Sequence, residues 1–224
     1  MRIGLNVAIG PDGPQRHDEI VAEVSEAAAA GLANAWWPQL PPLDGVAPWD
    51  ALTSIAATGA AVPGIGLGTS VVVSYAQHPL TLARQALTTQ AIVGGRLTLG
   101  VGTSHAPLVE QAYGLSFERP ARHLREFLAA LVPALRGEAV DVHGDTVTAV
   151  GRVAIPDAPP PPARRAARGG TIPRRAGAAA DGTITTWSGP RVVEEWIVPT
   201  LQAAAASAGR PTPQVVVNLP VAVT

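Results

Sequence analysis

The stretch Ile65-Gly66-Leu67-Gly68-Thr69-Ser70-Val71-Val72-Val73 is almost wholly apolar and shows no alternation of wet and dry positions. A strand with one solvated face alternates, whereas a strand covered on both faces, as in a parallel sheet flanked by helices, does not. Further strand-like runs fall on either side of it, at Ile3–Val7, Ala33–Trp37, Leu97–Val101, Thr183–Trp187 and Val215–Val223. Between them lie helix-period segments: Asp18–Ala30, Trp49–Ala61, Pro79–Val93, Pro120–Leu135 and Arg191–Ala208. In the fourth of these, Phe127, Leu128, Leu131 and Leu135 form one apolar stripe. The alternation of strand and helix at intervals of roughly thirty residues is that of βα units.

Two segments break the rhythm. Val140–Val153 alternates around His143-Gly144-Asp145, which predicts an inserted hairpin, and Pro38–Pro48 is a proline-rich loop. Counting the degraded stretch after Pro156, the chain offers seven strands in a single domain over residues 1–224. A closed eight-fold barrel takes about 250 residues. The expectation is therefore an α/β fold, a (β/α)8 TIM barrel lacking its last βα unit, with a doubly wound open sheet as the rival architecture.

Composition removes several function classes. The formal net charge is -1, so the electrostatic footprint of a nucleic-acid or anionic-membrane binder is missing. With no cysteine there can be no disulfide, thiolate metal site or cysteine nucleophile. No uninterrupted apolar run approaches the roughly 18 residues of a membrane span, and the opening Met1-Arg2-Ile3-Gly4-Leu5 does not read as a signal peptide. A soluble cytoplasmic protein is expected, with neither nucleic acid nor membrane as partner.

In a parallel barrel, ligands meet the turns at the C-terminal ends of the strands. That rule nominates Asn6, Gln39, Ser70 to Tyr75, Gly102 to His105 and Thr186 to Gly189. Gly64-Ile65-Gly66-Leu67-Gly68 resembles a dinucleotide fingerprint but enters a strand, where the Rossmann motif must leave one. Gly100-Val101-Gly102-Thr103-Ser104 does leave a strand, yet His105 stands where the third glycine belongs. Its amides suit either an anion cradle or a plain strand-to-helix turn. Ser104 beside His105 lacks the G-x-S-x-G elbow of a hydrolase, and the five histidines show no metal-ligand spacing. His123 reads as a surface or packing residue, while His105 at a strand end is the histidine expected to act.

An ordered set of motifs resembles the bacterial luciferase-like family, especially its deazaflavin-dependent branch. It comprises Leu67-Gly68-Thr69-Ser70-Val71-Val72-Val73, His78-Pro79-Leu80 and Ala83-Arg84-Gln85-Ala86. Then come Gly94-Gly95-Arg96-Leu97-Thr98-Leu99-Gly100-Val101-Gly102, Glu118-Arg119-Pro120-Ala121-Arg122-His123 and Val142-His143-Gly144. Ala180-Asp181-Gly182-Thr183-Ile184-Thr185 and Gly209-Arg210-Pro211 close the series, which spans nearly the whole chain.

The resemblance implies coenzyme F420, or FMN in the flavin-using branch, bound across the barrel mouth. It implies a non-proline cis peptide at Ser70-Val71 behind the ring and contacts from Gly102, Thr103 and Ser104. Ser188 and Gly189, before a helix, would face the coenzyme phosphate, and Gly169 and Gly170 would bind phosphate as well. The implied reaction is hydride transfer to or from a small organic substrate, in a homodimer. No metal is implied. The cofactor would supply the electronics, the protein position and charge.

Two departures bear on these expectations. Sugar-phosphate dehydrogenases of the family carry an Asp-His pair where Gln39-Leu40 stands here, leaving Gln39 and His105 as the candidate catalytic residues. Where the family has an apolar fifth strand, this chain has Ala163-Arg164-Arg165-Ala166-Ala167-Arg168-Gly169-Gly170. Buried arginines without partners are costly, so residues 156–176 are expected to be an irregular segment or a damaged strand. That segment and the early end of the chain keep three readings in view: a deazaflavin oxidoreductase, an FMN-dependent monooxygenase, and a catalytically silent relative that binds or dimerises.

Overall fold

The computed structural model describes residues 1–7, 13–14, 16–41, 49–167 and 181–221. The strands are β1 (Gly4–Asn6), β2 (Asn34–Trp37), β3 (Gly66–Thr69), β4 (Val72–Val73) and β5 (Leu97–Gly102). A hairpin of β6 (Ala139–His143) and β7 (Thr148–Arg152) follows, then β8 (Ala163–Ala167), β9 (Gly182–Thr186) and β10 (Gln214–Asn218). The main sheet runs β1-β2-β3-β5-β8-β9-β10, every pair parallel, with the short β4 also bonded to β5. Strand order thus follows chain order without reversal. A doubly wound sheet must reverse at a switch point, so the rival architecture is excluded. The sheet is nearly closed as a barrel of seven strands with helices between them.

The helices fall where the apolar period placed them: α1 (His17–Ala29), α2 (Ala51–Ala61), α3 (Pro79–Ile92), α4 (Ala106–Tyr113) and α5 (Pro120–Leu135). Past β9 a continuous helical run comprises α6 (Pro190–Val192), a π turn over Val193–Ile197 and α7 (Val198–Ser207). Local chemistry sets the starts. The Asp50 carboxylate accepts from Thr53 N at 2.8 Å before α2, and Pro79 stands in the first turn of α3, where no amide hydrogen is needed. Among the described residues no helix is long and apolar enough to cross a membrane.

Period-two alternation divides the sheet into two faces. Leu97, Leu99 and Val101 of β5 point outward and join Leu82, Ala86, Phe127 and Leu131 in the core between sheet and helices. Each of the buried leucine, valine and phenylalanine side chains contributes roughly 1.5–3 kcal/mol relative to exposure. Thr98, Gly100 and Gly102 point into the barrel, where a Cβ at Gly100 would meet Ile184 Cδ1 at 2.6 Å.

The arginine-rich segment is corrected in part. Instead of an irregular stretch, Ala163–Ala167 forms β8, an inner strand paired to β5 and β9. The alternation separates the two arginines: Arg164 shares register with Gly100 and turns into the barrel, while Arg165 shares register with Val101 and turns the other way. Gly182, opposite Arg164, leaves room for its guanidinium, and Gln214 of β10 accepts from its Nη2 at 2.6 Å. The strand alternation thus puts one arginine on each of its faces, in a strand that composition argued against. Arg168 to Ala180 lie outside the described residues.

Candidate active site

Because the strands are parallel, their C-terminal ends share one rim. Asn6 ends β1, Ser70 follows β3, Gly102 ends β5 with Thr103 to His105 after it, and Ser188 and Gly189 follow β9. Pairings near the rim include Val73 with Gly102, Ala167 with Thr185, and Asn218 with Thr186.

The long third strand expected from the sequence divides at Ser70-Val71, whose peptide bond is cis. Ser70 N donates to Trp37 O at 2.8 Å, and its Oγ donates to Asn6 Oδ1 at 3.3 Å. Next to the division, Thr69 bridges β3 to β5 through its side chain. Its buried Oγ1 donates to Gly100 O and accepts from Gly100 N, both at 2.8 Å. Val71 then lies over the glycines of β5: a Cβ at Gly102 would sit 2.8 Å from Val71 Cγ2 and 2.7 Å from Ala166 Cβ. Only hydrogen at position 102 permits this approach.

After β5, Thr103 and Ser104 are half-buried, and Ser104 takes a left-handed φ of 62°. His105 is the N-cap residue of α4, with its carbonyl accepting from Val109 N at 3.0 Å. Across the rim, Ser188 is 7% exposed and Gly189 is the N-cap of the helical run. Among the described residues, a Cβ at Gly189 would find nothing within 4 Å. Trp187 is 75% exposed, with φ 57°.

Gln39 supports the adjacent helix, its amide oxygen accepting from Ala51 N at 3.4 Å in the first turn of α2. Gly169 and Gly170 lie outside the described residues.

One contributor was not legible in the sequence. Thr185 Oγ1 is buried at the end of β9 with no partner among the described residues. His123, expected on the surface or in packing, is a packing residue, 7% exposed and stacked on Tyr75 with ring centroids 4.1 Å apart. Burial lowers its pKa against the opposing pulls of a hydrogen bond to the Ser74 backbone and of Glu126.

A parallel sheet in unbroken strand order, with polar and glycine-rich turns on its C-terminal rim, defines a β/α barrel and makes that rim the candidate ligand site. The family model for the luciferase-like monooxygenases matches residues 1–224, and the chain belongs to that family. It is 35% identical over 168 residues to the F420-dependent glucose-6-phosphate dehydrogenase of Nocardia farcinica, covering 71% of this chain and 49% of that protein. Among solved structures, it is similar to an F420-dependent secondary alcohol dehydrogenase in complex with an F420-acetone adduct. There the TM-score is 0.82 at 18% identity, over 96% of this chain and 68% of the other. The FMN-bound oxygenating constituent of 3,6-diketocamphane monooxygenase from Pseudomonas putida gives 0.79 at 19%, over 97% and 66%. At these identities the structural likeness speaks for the fold. The chain spans about half the length of the F420-dependent glucose-6-phosphate dehydrogenases it matches.

Proposed function

We propose that the chain binds coenzyme F420 across the barrel mouth and transfers a hydride between it and a small organic substrate. One observation carries the reading: Ser70, Gly102 and Ser188, drawn from three distant parts of the sequence, end on a single rim. The names of the F420-dependent relatives support the choice of coenzyme.

The residues present fit such a group. The helix run starting at Pro190 offers an N-terminus to a phosphate, and a Cβ at its N-cap Gly189 would meet nothing among the described residues. The glycines of β5 lie under the Val71 side chain, which offers the ring an apolar surface. When bound, the deazaflavin supplies the hydride-carrying carbon. In this reading Ser188 and Gly189 hold the phosphate, Val71 and Gly102 to Ser104 back the ring, and His105 holds or delivers a proton at its imidazole. Gln39 orients the substrate from the β2 side. FMN is the second reading, favoured by the fold shared with the FMN-bound monooxygenase. A cytoplasmic homodimer is part of the same proposal and rests on the family resemblance.

The test is titration of the purified chain with F420 and, separately, FMN, following quenching of tryptophan emission. Saturable quenching by F420 is expected, and His105→Ala should keep it while turnover falls by about 10²–10⁴-fold. Quenching by FMN alone would establish the second reading; binding of neither would remove both.

A further inference from the structure

At the opposite end of the strands, below β8, β9 and β10, the structure holds a concavity of about 420 Å³. Its lining includes Arg136 at the end of α5, Pro161, Arg164, Asp181, Thr212 and Gln214. Arg164 dominates its electrostatics. The residue is 6% exposed, and its Nε and Nη1 have no acceptor among the described residues. The acceptor it does have is neutral: Nη2 donates to Gln214 Oε1 at 2.6 Å.

The adjacent carboxylate is already engaged. Asp181 Oδ1 accepts from Arg210 Nη2 at 2.9 Å, and Oδ2 accepts from Ala163 N at 2.9 Å. Burial lowers the Arg164 pKa, and Asp181 offsets that in the other direction. A guanidinium nevertheless stays charged at any pH the protein meets. The result is a buried cation with fewer acceptors than donors, an arrangement costly unless a counter-charge arrives. Arg136, exposed at the rim, adds a second positive group. The strand itself is shaped around the cation, since a Cβ at Gly182 would lie 2.9 Å from Arg164 Nη1.

We propose that this cavity is a binding site for a small oxyanion, a carboxylate or phosphate group, which takes the place of the Gln214 amide oxygen on Arg164 Nη2 and accepts from the unpartnered Nη1 as well. The exchange replaces a neutral acceptor with an anion, which adds ion–ion attraction and can meet a guanidinium through two parallel hydrogen bonds. Gln214 is exposed, so its side chain can swing aside and open Arg164 to the ligand. The site lies at the other end of the barrel from the coenzyme mouth and stands independently of the coenzyme assignment.

The test uses the full chain without coenzyme. Thermal unfolding is followed against acetate and against inorganic phosphate, each compared with sodium chloride at equal ionic strength. A specific rise in Tm of about 3–5 °C is expected when the anion reaches roughly ten times its Kd. Gln214→Glu supplies the carboxylate from within and should abolish the response, as should Arg164→Met. A response to phosphate arising at the coenzyme mouth would survive Gln214→Glu and would overturn the proposal, as would no response in the wild type. Should Arg164→Met not fold, Gln214→Glu decides alone, since its side chain is exposed.

Discussion

Trp36 lies across Gly68. A Cβ at position 68 would fall 2.3 Å from Trp36 Cζ3 and 2.5 Å from Cε3, so the indole occupies the space a side chain would need. The two residues are register partners on β2 and β3 and face the barrel interior together. Gly68 is therefore demanded by its neighbour, and the sequence motif containing it has a packing cause.

Replacing Gly68 by Ala should displace the indole from the barrel interior. The expected cost is about 1–3 kcal/mol, the usual range for overpacking a filled core. Tryptophan emission should shift to the red together with a lower midpoint in denaturant. An unchanged emission spectrum in a folded Gly68→Ala protein would contradict the contact.

Arg96 ties three elements at the other end of the sheet. Its Nε donates to Val93 O at 2.8 Å, its Nη1 to Val62 O at 3.0 Å and Ile65 O at 2.9 Å, and its Nη2 to Gly59 O. These carbonyls close the ends of α2 and α3 and the entry to β3, where a helix C-terminus favours a cation. Arg96→Ala should cost about 3 kcal/mol, because hydrogen bonds from a charged donor are worth more than neutral ones. Urea unfolding with an unchanged m-value is the measurement. Arg96→Lys should recover a minor part, since an ammonium cannot reach carbonyls spread over both edges of a guanidinium.

His123 should make stability depend on pH. Burial, with Nε2 left without a partner among the described residues, lowers its pKa below the ordinary value of 6.5, against Glu126 and the Ser74 backbone. The unfolded chain then takes up a proton before the folded one does. Stability attributable to this group is complete above about pH 6.5 and is lost as pH falls through the lower folded value. His123→Phe preserves an aromatic ring against Tyr75 and removes the titration. Its Tm should fall less between about pH 7 and 5 than that of the wild type. Equal slopes in the two proteins would rule the assignment out.

Much of this protein is written locally. The boundaries of α5, the βα rhythm and the parallel, doubly covered strands follow from which positions are apolar at periods of 3.6 and two, and those periods are visible within a dozen residues. The candidate rim followed as well, because a parallel sheet puts every strand end of one kind on one side. Nothing local showed that Arg164 could sit in an inner strand. Its acceptor, Gln214, is fifty positions away, and the space for it comes from Gly182. The same holds for Trp36 over Gly68, for Thr69 bridging to Gly100 and for the carbonyls gathered by Arg96. Periodicity tells each residue which face it occupies; strand register and helix docking decide what it meets there. Where a residue's cost depends on its partner, as for a buried charge or a missing Cβ, tertiary structure has the deciding part.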